Sequence, residues 1–158
     1  MPMSTVDSSQ LARAVELASR ARGHGNDPFG AVIVGAEGAI VEAENTVVTD
    51  HDPTAHAELN VVRAATAVMS PEQLAASTLF TSTEPCAMCT GAIYWAGIAR
   101  VVFALAESEL NAMLPASSMT LVLSTTCREI FARGGRPTEV VGPVPTPGAA
   151  EVHEGYWG

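Results

Sequence analysis

Two cysteines three residues apart, just behind a proline, constrain this chain more than any other stretch: Thr83-Glu84-Pro85-Cys86-Ala87-Met88-Cys89. On a helix, residues at i and i+3 share a face, so both thiolates can reach one metal ion. Pro85 suits the first helical position, where its missing N–H costs nothing. Cys86 and Cys89 then fall in the first turn, where the helix dipole favours negative charge and lowers a thiol's pKa. A third donor stands earlier, in His56-Ala57-Glu58. Two thiolates and one imidazole suit Zn²⁺, and three protein donors leave a fourth position for water.

Glu58 stands two residues after His56. Residues i and i+2 point about 200° apart on a helix, so the two cannot serve a metal lying beside it. They can serve one lying over the helix N-terminus, with His56 on the metal and Glu58 passing beside it to the water. Asp52-Pro53-Thr54 reads as the start of that helix. Two helix N-termini are therefore expected to face one ion, with Glu58 as the general acid–base group.

Elsewhere the pattern is that of a single α/β domain. Residues 1–7 read as a loose lead-in, and a helix follows from Ser8 until Gly23 stops it. Strands are expected at residues 29–35, 39–45, 78–82, 100–105 and 138–141, the first two as a hairpin. The helix carrying His56 should run to about Met69. The cysteine helix, apolar throughout, should run to about Ala96 and be buried on most sides. A short helix is expected over residues 107–114 and another over 126–132, while residues 119–123 fit neither pattern. Strands three and four, joined through a helix, should be parallel. The expected architecture is a three-layer α/β/α sandwich around a five-stranded mixed sheet.

These residues also carry a resemblance. His56-Ala57-Glu58 followed by Pro85-Cys86-x-x-Cys89 resembles the zinc deaminase signature, and the chain is identified as a member of the cytidine deaminase-like superfamily. The resemblance runs from about Leu11 to Glu107 and lies in the branch of guanine, cytosine and tRNA adenosine deaminases. Residues 28–34, 52–58 and 91–96 look most like guanine deaminase. The resemblance implies a cytidine deaminase-like fold, a Zn²⁺ cofactor held by His56, Cys86 and Cys89, and Glu58 as proton shuttle. It further implies that Phe29 stacks on the substrate ring, that Asn45 bonds to a ring edge, and that Ala57 contributes its backbone N–H. Taken alone, Phe29 would read as a core aromatic and Asn45 as a turn residue.

The domain proper is expected to cover residues 1–142, with 143–158 as an extended, proline-rich tail. Two aromatics close that tail, and as in guanine deaminases it is expected to bring Glu154, Tyr156 and Trp157 over an active site, its own subunit's or a neighbour's in a homodimer. The alternative is a tail docked on its own surface. Guanine deaminases carry a base-binding acid shortly after the fourth strand, yet residues 110–119 contain none. Either Glu109, Glu151 or Glu154 takes that role, or the substrate is cytosine or another aminated purine, pyrimidine or triazine.

The formal charge is −9, and every one of the eight basic residues is arginine. That argues against a nucleic-acid partner, and so against a tRNA adenosine deaminase. A structural zinc module closed by Cys127 or a histidine is the alternative from another class, but it gives Glu58 no purpose. Three cysteines do not make a disulfide framework. With no signal peptide and no apolar run of ~20 residues, a cytoplasmic protein off the membrane is expected.

Overall fold

The computed structural model describes residues 3–158. Its centre is a five-stranded sheet in the order β2-β1-β3-β4-β5: β1 (Gly30–Val34), β2 (Ile40–Glu44), β3 (Thr78–Thr83), β4 (Arg100–Leu105) and β5 (Glu139–Val141). β1 is antiparallel to both β2 and β3, whereas β3, β4 and β5 are mutually parallel. The expected mixed sheet is present, strand by strand.

Side chains alternate across a strand, so consecutive residues feed two cores. Ala31, Ile33, Leu79, Val101 and Phe103 face a layer formed by α2 (Ala57–Thr66), α4 (Ala87–Ala96) and α6 (Cys127–Phe131). Val32, Phe80, Val102 and Ala104 face α1 (Thr5–Gly23) through its Leu11, Ala14, Val15 and Leu17. Helix α1 lies close on the sheet: a Cβ at Gly30 would stand 2.3 Å from the Ala14 carbonyl oxygen. Only glycine allows that approach.

Several boundaries differ from expectation, each for a local reason. Met1 and Pro2 of the expected lead-in lie outside the described residues, but Thr5 to Asp7 are already helical. Ser4 caps α1 by accepting from the Asp7 N–H at 3.1 Å, and Asp7 returns a bond to the Ser4 N–H at 3.0 Å. The second helix starts at Ala57, not at residues 52–54. There the Asp52 carboxylate accepts from the Thr54 N–H at 2.8 Å and from its hydroxyl at 2.7 Å, a local turn that competes with helix. That helix ends at Thr66, and an unanticipated α3 (Pro71–Ala75) follows, capped by Ser70.

Pro85 precedes the cysteine helix instead of opening it, because Cys86 itself is the N-cap. Gly97 ends this helix in the left-handed region at φ 87°. The helix is also less buried than its composition suggested, with Trp95 84 % exposed. Helix α5 (Glu107–Asn111) falls in the expected place, and residues 116–121 form a 3₁₀ turn.

The tail is not extended throughout. After Pro147 it turns, forms a 3₁₀ segment at Glu151–His153, and packs on α1. Arg22 holds it by donating to the carbonyls of Val152 and Glu154, both at 2.7 Å. Among the described residues no helix is long and apolar enough to cross a membrane.

Candidate metal and substrate site

His56 and Cys86 are both N-cap residues, with ψ 152° and 173°. Extended backbone at each cap aims the side chain past the helix end, so the N-termini of α2 and α4 converge on one point. The loop before α2 is tied down for this. Thr46 N–H reaches the Ala55 carbonyl at 3.0 Å, and the Asn60 amide donates to the Glu44 carbonyl, also at 3.0 Å. The side-chain oxygen of the buried Asn26 accepts from the N–H groups of Val48 and Thr49, each at 3.0 Å. At the far helix, β3 delivers Cys86 to the carboxyl end of the parallel strands, where ligands collect in open α/β sheets.

His56 Nδ1 lies 3.6 Å from the sulfur of Cys86 and 3.6 Å from that of Cys89. The three donor atoms lie within 4.8 Å of one another, and among the described residues no other His, Cys, Asp or Glu joins the group. Cys127, the fourth donor of the structural-zinc alternative, is wholly buried in the core on the helix side instead.

The thiols of the pair titrate far apart. Hydrogen bonds from Cys89 and then His56 pull Cys86 down to about 4. The same bond to Cys86, with burial, drives Cys89 up. Two adjacent thiolates repel unless a cation lies between them, and Zn²⁺ is the cation that two sulfurs and a nitrogen at this spacing suit. The donor set fits Zn²⁺.

Glu58, in the first turn of α2, is only 4 % exposed. Burial first, and the Cys86 charge second, push its carboxyl above the usual range. Its Oε1 lies 2.7 Å from the Thr81 hydroxyl, which also lies 2.9 Å from the Thr83 carbonyl. His56, Glu58 and Cys86 line one cavity of about 370 Å³ together with Phe29, Glu84, Glu107, Leu110, Asn111 and others. That volume lies within the range of small-molecule pockets.

Of the other residues expected to touch substrate, Phe29 is on the cavity wall and the rest are not. Asn45 is 1 % exposed, and its side-chain oxygen accepts from the Val47 N–H at 3.0 Å. Ala57 is fully buried as the first residue of α2. Glu154, Tyr156 and Trp157 do not line the cavity. The Trp157 and His153 rings lie 6.0 and 5.3 Å from the Phe29 ring, and the Tyr156 hydroxyl meets Asp27 at 2.5 Å. Arg22 fixes the tail on that side of the molecule. His153 is 2 % exposed and belongs to this aromatic cluster.

Glu84 adds a cap, and two further features escaped sequence reasoning. Glu84 accepts from the N–H groups of Glu107 and Cys127, both at 3.1 Å, and so caps α5 and α6 at once. Thr81 reaches Glu58 from the neighbouring strand. Glu107, Leu110 and Asn111 share a face of α5 and line the cavity. Their i, i+3, i+4 spacing was a usable signal, although nothing in the sequence said which cavity that face lines.

Residues 4–105 match the family described as the cytidine and deoxycytidylate deaminase zinc-binding region. The chain belongs to this deaminase family. It is 37 % identical over 155 residues to a probable cytosine deaminase of Schizosaccharomyces pombe, covering 98 % of this chain and 94 % of that one. It is 47 % identical over 100 residues to the guanine deaminase of Bacillus subtilis, 63 % of this deaminase and 64 % of the relative. A solved structure of guanine deaminase from Bacillus subtilis superposes with TM-score 0.64 at 38 % identity, over 89 % of this chain and 87 % of that one. The zinc-binding region of the family contains all three donors and Glu58.

Proposed function

We propose that this deaminase hydrolyses the exocyclic amine of a free nucleobase or closely related aminated heterocycle, a guanine-type purine first, with cytosine or a triazine next. One observation carries the reading: a buried carboxyl, Glu58, shares a cavity wall with a three-donor group that fits Zn²⁺. Zn²⁺ held by His56, Cys86 and Cys89 supplies the Lewis acidity that makes water a competent nucleophile near neutral pH.

Glu58 does the proton work. It takes a proton from the attacking water and passes it to the adjacent ring nitrogen as the C–O bond forms at the amine-bearing carbon. It then carries the second water proton to the amine, the C–N bond breaks, and ammonia leaves a ring carbonyl behind. A shuttle of this kind works best with a pKa raised toward neutrality, the direction in which burial moves Glu58. Phe29 offers a ring face on which a planar base can stack, with the Trp157 ring 6.0 Å away beside it.

The names of the relatives support the reaction and leave the substrate open among cytosine, guanine and an adenosine of tRNA. The charge of −9 weighs against an RNA-borne adenosine. The test is ammonia release by the zinc-loaded protein from guanine, cytosine, adenine, isocytosine, aminotriazines and their nucleosides, beside a tRNA substrate. We expect turnover on at least one free base. Turnover confined to tRNA, or to none of these compounds, contradicts the proposal.

A further inference from the structure

Three carboxylates line the cavity: Glu58, Glu84 and Glu107. Two already have partners. Glu58 is bonded by the Thr81 hydroxyl, and each oxygen of Glu84 accepts a backbone N–H. Glu107 is different. Its backbone N–H is satisfied by Glu84, yet among the described residues no hydrogen bond or ion pair reaches its carboxylate. Burial, then the charges of Glu84 and Cys86, push that carboxyl up to about 7. A half-buried acid with no protein partner at the wall of a cavity keeps its lone pairs open to a ligand donor.

The acids expected from sequence to read the substrate are placed elsewhere. Glu109 turns back to cap its own helix, accepting from the Ala106 N–H at 2.8 Å. Glu151 lines a separate cavity beside the proline run, and Glu154 another beside Trp157. Asn111, one helical turn after Glu107, lines the same wall, and its amide likewise has no partner among the described residues.

We infer that Glu107 is the specificity-determining acceptor of this site, taking a ring N–H of a free nucleobase. This rests on the deaminase reading above. Every free base carries an N–H where its nucleoside carries the sugar, so an acceptor placed to use that proton selects the base over the nucleoside. A polar group built to pair with an N–H rejects analogues that lack it more strongly than an apolar wall can.

The test separates binding from turnover. In a Glu58→Gln background, calorimetry measures binding of guanine, cytosine and adenine, their ring N-methyl analogues and their nucleosides, to zinc-loaded protein with Glu107 intact or changed to Ala. With Glu107 intact, blocking the relevant N–H by methylation should weaken binding on the order of 10- to 100-fold. Glu107→Ala should lose a similar factor for the base and no longer distinguish base from methylated base. Equal base-to-analogue ratios with and without Glu107 overturn the inference, as does failure of any free base to bind. Binding that depends on Glu107, with no ammonia released when Glu58 is intact, upholds Glu107 as the acceptor and overturns the deaminase reading alone.

Discussion

Glu58 is held by a hydroxyl with one proton and two acceptors in reach, the carboxylate at 2.7 Å and the Thr83 carbonyl at 2.9 Å. While Glu58 is ionised, Thr81 can donate to it. Once Glu58 carries a proton, it can donate to Thr81, whose own proton turns to the carbonyl. Both states of the proposed shuttle are thus bonded without movement of heavy atoms. Hydrogen bonds to charged groups contribute about 1.5–3 kcal/mol, so Thr81→Val should lower kcat on the order of 10- to 100-fold with KM and zinc content little changed. Thr81→Ser should restore most of the loss. Equal kcat in Thr81→Val and wild-type protein would show that Thr81 only fills space. No sequence pattern marked Thr81, because its role depends on β3 lying beside the start of α2. The metal donors were legible because their spacing alone puts two thiolates on one helical face.

Among the elements, the tail departs furthest from its sequence reading. A run of prolines predicts an extended path, and the aromatics after it predict a docking end. Where that end docks is set by Arg22 on α1, far away in sequence. Its anchor is His153, whose imidazole is lowered to about 4 by burial and then by Arg22, from an ordinary 6.5. Trp157 donates its indole N–H to His153 Nδ1 at 3.2 Å, so the ring accepts there while neutral. A depressed pKa means that the unfolded chain binds the proton more readily. The stabilisation is therefore full above pH 6.5 and is lost as pH falls from 6.5 toward 4, on the order of 3 kcal/mol in all. Amides of residues 149–157 should lose hydrogen-exchange protection across that window, after correction for intrinsic rates. His153→Phe should flatten the acid dependence. The same acid loss in the variant would place the titrating group elsewhere.

The whole molecule uses its sheet to bring two helix beginnings to one place. The strand positions, the hairpin and the parallel pairing of β3 with β4 were readable from apolar runs and turn residues, because burial on both sheet faces demands that pattern. The cavity's far wall was not readable. It comes from α5 and from residues 121–123, with Leu121 84 % and Leu123 66 % exposed at its rim, in a stretch with no periodicity to follow. What this architecture is proposed to achieve is narrow: a metal held on three sides with one acid beside it. The most direct measurement is ammonia release by Glu58→Ala on the best substrate of the wild-type protein, with zinc per chain determined on the same sample. Positioned general acid–base groups contribute about 10²- to 10⁴-fold, so the account predicts full zinc occupancy with turnover reduced by at least ~10²-fold. Turnover within a few-fold of wild type at equal zinc content would contradict it.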